Sequence, residues 1–141
     1  MPALNPTALR LGYAGLLPFI VGAALVWLVY PEVQPYVTLS LAAYAAVVLS
    51  FLGGIHWGLA IRQEVPSPGP YAWGVVPSLV AWIGVVMPAY AGLVVLGAML
   101  VVTYLVDRRL YPRLGARAWL VLRFRLTAVA SLCCFLAAAG S

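Results

Sequence analysis

Few residues in this sequence can do chemistry. There is one histidine, His56, three acids (Glu32, Glu64 and Asp107), and eight arginines with no lysine. The cysteines, Cys133 and Cys134, are adjacent in an apolar run, which suits small apolar packing better than a disulfide or a C-x-x-C metal site. No nucleophile–base pair, carboxylate dyad, phosphate loop or metal-ligand spacing can be read along the chain. Hydrolytic and phosphoryl-transfer chemistry therefore finds no support, and a non-enzymatic protein is expected.

The ionisable residues that remain sit in or beside strongly apolar segments, where such residues are functional candidates by default. His56 shares its helical face with Ala45, Leu49, Leu52 and Ala60. Two readings of it stand open. It is either a neutral imidazole bonded to a neighbouring helix or headgroup, or a contact for a cofactor. A lone histidine could supply one axial haem ligand, or touch a quinone or a proton path. Asp107 falls at the C-terminal end of an apolar helix, where the helix dipole disfavours a carboxylate. It calls for a cation, and Arg123, Arg108 and Arg10 are the candidates. Arg123 and Arg125 are two residues apart and point to nearly opposite helix faces. Arg123 shares its face with the small or polar Thr127, Ala130 and Cys134, so it is expected to face the protein. Arg125 is expected to snorkel past lipid. The sequence thus predicts one polar cluster near the inner leaflet, made of Arg10, His56, Ser78, Asp107 and Arg123.

The elements that must position these residues follow from composition. Of 141 residues, 65% are hydrophobic and 8% charged, with a mean hydropathy of +1.06. Soluble chains are about 45–50% apolar and about 25% charged. An ordinary soluble domain, a disordered chain and a nucleic-acid-binding module are excluded. A membrane helix needs about 20 mostly apolar residues, and five segments qualify: Leu11–Tyr30, Tyr36–Ile61, Tyr71–Met87, Ala89–Val106 and Trp119–Ala139. The expected fold is an all-α polytopic membrane bundle in one domain, 1–141. The first apolar run is longer than a signal-peptide core and reads as a retained span. A four-span alternative would leave the last segment lying at the interface.

The breaks have physical causes. Pro31 and Pro35 bracket a turn. Pro66, Pro68, Gly69 and Pro70 read as the longest flexible connection. Pro88 leaves a tight hairpin, and Leu110–Ala118, with Pro112 and Gly115, reads as a polar loop. Pro18 and Pro77 should kink their spans, with the Ser78 hydroxyl satisfying freed backbone groups. With the N-terminus inside, all eight arginines fall on or near the cytoplasmic side and none outside. This predicts an N-in, C-out protein of the bacterial inner membrane. Trp27, Tyr30 and Tyr36 then form one aromatic belt, and Trp57, Tyr71, Trp73, Tyr104 and Trp119 the other.

In the second span Ala46, Ser50, Gly54 and Gly58 recur every four residues, a ridge that lets another backbone approach closely. Gly12, Gly15, Gly22 and Ala23 of the first span offer a counterpart. The stretches Gly15–Phe19, Leu49–Gly58, Pro77–Trp82 and Leu122–Thr127 resemble a domain-of-unknown-function family of small polytopic membrane proteins that includes the animal transmembrane protein 69. The resemblance covers nearly the whole chain and implies a compact integral membrane protein. It marks Ser50, Gly53, Gly54, His56, Trp57 and Arg123 as signature positions without giving them roles. It implies no activity and no cofactor. The expected partners are the lipid bilayer and a membrane protein or a second copy. The expected role is an accessory or assembly subunit, with a small oligomeric transporter or channel, or a haem- or quinone-binding subunit using His56, as alternatives.

Overall fold

A computed structural model describes residues 4–65 and 67–141. The described chain forms six α-helices: α1 (Pro6–Ala14), α2 (Leu17–Leu28), α3 (Gln34–Ile61), α4 (Pro68–Val86), α5 (Ala89–Arg113) and α6 (Leu120–Gly140). With α1 and α2 taken as one broken span, five segments are long and apolar enough to cross a membrane. Exposed side chains such as Leu28, Phe51, Trp82 and Val86 cover the outside, as expected where lipid rather than water is the solvent.

Short connections force sequence neighbours to run antiparallel. α3 packs on α4, α4 on α5 and α5 on α6, while α2 lies between α3 and α6 and closes the ring. α3 also meets α5 across the interior. The tightest crossings are made by glycine. A Cβ on Gly53 of α3 would overlap the Gly74 carbonyl of α4, and one on Gly92 of α5 would overlap that of Gly84. Backbone-to-backbone contact of this kind replaces the hydrophobic drive that lipid removes. The core between these crossings is apolar, with Phe19, Leu49, Leu93, Leu96 and Leu100 almost wholly enclosed.

Three features depart from the sequence reading. The first span breaks at Gly15–Leu16, because Pro18 at the second position of α2 cannot donate to the preceding turn. The Gly15 carbonyl instead accepts a hydrogen bond from the Tyr44 hydroxyl at 2.7 Å. The segment after Ser67 is helix rather than flexible linker. Pro68 and Pro70 occupy the first turn of α4, where no backbone N–H is needed. Pro66, which belonged to that expected linker, lies outside the described residues. Finally, α5 runs on through Pro112 to Arg113, so the Leu110–Ala118 loop shrinks to a turn. Buried Tyr111 anchors the last turn of α5. Gly115, at φ +79°, then reverses the chain in a conformation that suits glycine.

All eight arginines gather at one end of the bundle, which we call the arginine-rich end. At the opposite end Gln34 Nε2 donates to the Val26 carbonyl at 3.0 Å and to the Gly140 carbonyl at 2.8 Å. This clasp joins α2, α3 and α6.

Candidate functional site

Three of the five residues expected to cluster do meet. α3, α5 and α6 bring His56, Asp107 and Arg123 together about two turns inside the arginine-rich end. His56 is 1% exposed, Asp107 0% and Arg123 6%. His56 Nε2 lies 2.5 Å from Asp107 Oδ1. Arg123 Nε and Nη2 reach Asp107 Oδ2 at 3.0 and 2.8 Å, and Arg123 Nη1 donates to the Thr127 hydroxyl at 2.8 Å. An ionised carboxylate only accepts, so beside an Asp107 carboxylate the Nε2–H tautomer of His56 is the donor. The Asp107 and Arg123 charges cancel within the cluster. Charges this deep are tolerable because each is paired and hydrogen-bonded.

Helix spacing explains the local arrangement. Arg123 and Thr127 lie four apart on α6, as do Asp107 and Tyr111 on α5, so each pair shares a face. The Tyr111 ring sits 5.9 Å from that of His56. Its buried hydroxyl lies beside Asp107 and Arg123 but makes no hydrogen bond among the described residues, nor does His56 Nδ1. Tyr111 escaped the sequence reading because it was assigned to a loop. Extending the α5 face one turn past Asp107 would have found it.

Arg10 and Ser78 stand apart from the cluster. Arg10 is exposed on α1, which packs mainly against α6. Its face is opposite that of Ala8 and Gly12, which look toward the bundle. Ser78 is half-buried on α4. It lines a shallow groove with Ala46, Ser50 and Trp82. α4 packs on α3 and α5, and Ser78 lines the outer groove there rather than the Asp107–Arg123 pair. Arg125 is exposed and bonds the Tyr13 hydroxyl at 3.1 Å.

The small-residue ridge also behaves differently from its neighbours. Ala46 is half-buried, whereas Ser50, Gly54 and Gly58 are exposed. A Cβ on Gly54 or Gly58 would meet nothing within 4 Å. The ridge is therefore not used inside the chain, where Gly53 makes the close crossing instead. The glycines of the first span serve other contacts. Gly12 faces Leu122 and Leu126 of α6, and Gly22 faces Leu41.

Beside the cluster, α1, α3 and α6 border a half-open apolar cavity of about 700 Å³, floored by Phe19 of α2 and by Leu100 and Tyr111 of α5. Arg123, Thr127 and Tyr111 form part of its wall, but His56 does not. Nε2 of His56 is committed to Asp107, and the ring is almost wholly enclosed. Among the described residues, no three His, Cys, Asp or Glu side chains gather as a metal site would require.

Residues 4–139 match a family model described as a protein of unknown function (DUF3429). The chain is similar to transmembrane protein 69 of Xenopus tropicalis, with 43% identity over 81 residues, covering 54% of this chain and 31% of that protein. It is also similar to transmembrane protein 69 of Mus musculus, with 33% identity over 78 residues, covering 53% and 31% respectively. The chain thus spans about a third of the length of these relatives. No solved structure matches.

Proposed function

This chain belongs to the DUF3429 family, and we propose that it acts as a non-enzymatic accessory or assembly subunit that packs against another membrane helix through α3. The observation that carries this reading is the unused ridge of Ser50, Gly54 and Gly58. Small residues at four-residue spacing allow close helix approach, and close approach is a main source of helix affinity in lipid. The neighbouring groove with Ser78 and Trp82 widens the same face. We place the protein in a bacterial inner membrane, with its arginine-rich end in the cytoplasm.

The test is purification in mild detergent at native expression level, followed by identification of what co-migrates. Gly54→Leu with Gly58→Leu should abolish co-migration of a membrane protein partner while leaving the fold intact. A wild-type chain that runs alone as a monomer would overturn the reading.

A further inference from the structure

We propose that the cavity between α1, α3 and α6 is a seat for one acyl chain of an anionic phospholipid, with the headgroup at the arginine-rich end. Three observations converge on this occupant.

The first is shape. Along α3 the cavity runs from Leu59 to Tyr44, and along α6 from Leu122 to Ala130, with Trp119 just before α6 at its mouth and Ala8 and Gly12 of α1 as a side wall. The α3 stretch covers about 22 Å at 1.5 Å per residue. One leaflet of hydrocarbon is about 15 Å, half of a roughly 30 Å core. The cavity is thus a slot parallel to the helix axes, long enough for a chain entering from the headgroup region. Its volume of about 700 Å³ falls in the range of small-molecule sites, about 300–1,000 Å³.

The second is wall chemistry. The one ionised residue in the wall, Arg123, turns its guanidinium onto Asp107 and Thr127. The Tyr44 hydroxyl is taken by the Gly15 carbonyl. What faces the slot is almost entirely hydrocarbon, which favours a chain over a polar ligand.

The third is charge at the mouth. Arg10, Arg62, Arg108, Arg109, Arg113 and Arg117 are exposed at this end, against a single exposed acid, Glu64. Among the described residues none of the six pairs with a carboxylate. Arg117 lies between the wall residues Ala116 and Trp119, with Arg113 one turn before Ala116, whereas Arg10 stands on the side of α1 turned away from the slot. Clustered arginines at a membrane surface attract anionic headgroups, each by an amount comparable to a lysine at the same depth. The break at Gly15–Leu16 helps here, because it lets α1 stand off the bundle as the outer wall of the slot.

The experiment reconstitutes the full chain in vesicles of equal phosphatidylglycerol and phosphatidylcholine, extracts it in mild detergent, and counts retained lipid by native mass spectrometry. The expected result is one retained lipid per chain, favouring phosphatidylglycerol by on the order of tenfold. Val48→Trp, which fills the slot, should lose retention of both lipids. Ala8→Trp tests the same point from α1, where no side chain is buried, should Val48→Trp fail to fold. Arg113→Gln with Arg117→Gln should keep chain binding but lose the preference. Equal retention of both lipids by the wild type, no retained lipid, or undiminished retention in the filled variants would each overturn the proposal.

Discussion

Arg123 meets Asp107 side-on, so that its Nε and Nη2 both converge on the same oxygen, Oδ2. A fork-to-fork pair would have occupied both carboxylate oxygens. The side-on pair leaves Oδ1 to His56, which lets one carboxylate tie three helices together. Arg123→Ala should therefore strand a buried charge and lower stability by about 3–5 kcal/mol, the usual range for breaking a buried pair from one side. Arg123→Ala with Asp107→Ala should cost less than the two single changes added together. Unfolding of each variant in detergent supplies the comparison.

His56 and Tyr111 should respond in opposite ways. His56→Phe removes the donor to Oδ1 and should cost about 1–3 kcal/mol. Tyr111→Phe removes a buried hydroxyl that makes no hydrogen bond among the described residues, so stability should hold or rise slightly. A large loss for Tyr111→Phe in the same unfolding measurement would contradict this account.

Adjacent glycines on α3 should behave differently. Gly53→Ala drives a methyl into the Gly74 carbonyl and should cost about 1–3 kcal/mol through overpacking. Gly54→Ala enters open space and should leave the isolated chain unchanged or more stable by up to about 1 kcal/mol, from helix propensity. Thermal melting of the two variants, purified without partner, checks the contrast.

The clasp at the far end can be opened alone. Gln34→Ala frees the Val26 and Gly140 carbonyls and should loosen the last turn of α6. Faster amide exchange confined to that turn and to the end of α2 is the expected readout, with the Asp107 cluster unaffected.

Topology is testable directly. Reporter fusions should place the N-terminus in the cytoplasm and the C-terminus on the opposite side. A C-terminal reporter that reads cytoplasmic would refute five crossings with this orientation.

How far the sequence foretold this arrangement depended on whether the governing interaction was local. The spans were legible because length and apolarity are local properties. The buried faces of His56 and Arg123 were legible because helical periodicity placed them with Leu49 and Thr127. The choice of Arg123 over Arg108 and Arg10 was not, because it depends on α5 packing against α6. Nor was the standing apart of Arg10 and Ser78, since sharing a depth in the membrane does not bring α1 or α4 to the Asp107 face. The continuation of α5 through Pro112 was hidden for the same reason. A proline near a helix end reads as a stop unless a buried anchor such as Tyr111 holds the turn.

The three cluster residues leave the ribosome one after another, so the network is completed only when its last helix is made. His56 emerges first, Asp107 next and Arg123 last. When α5 is synthesised, its carboxylate has a histidine waiting in α3 but no cation. Only the arrival of α6 neutralises it. A chain truncated before residue 123 would lack both the guanidinium that pairs with Asp107 and the helix that closes the network, so the last helix made is the one on which the first two depend.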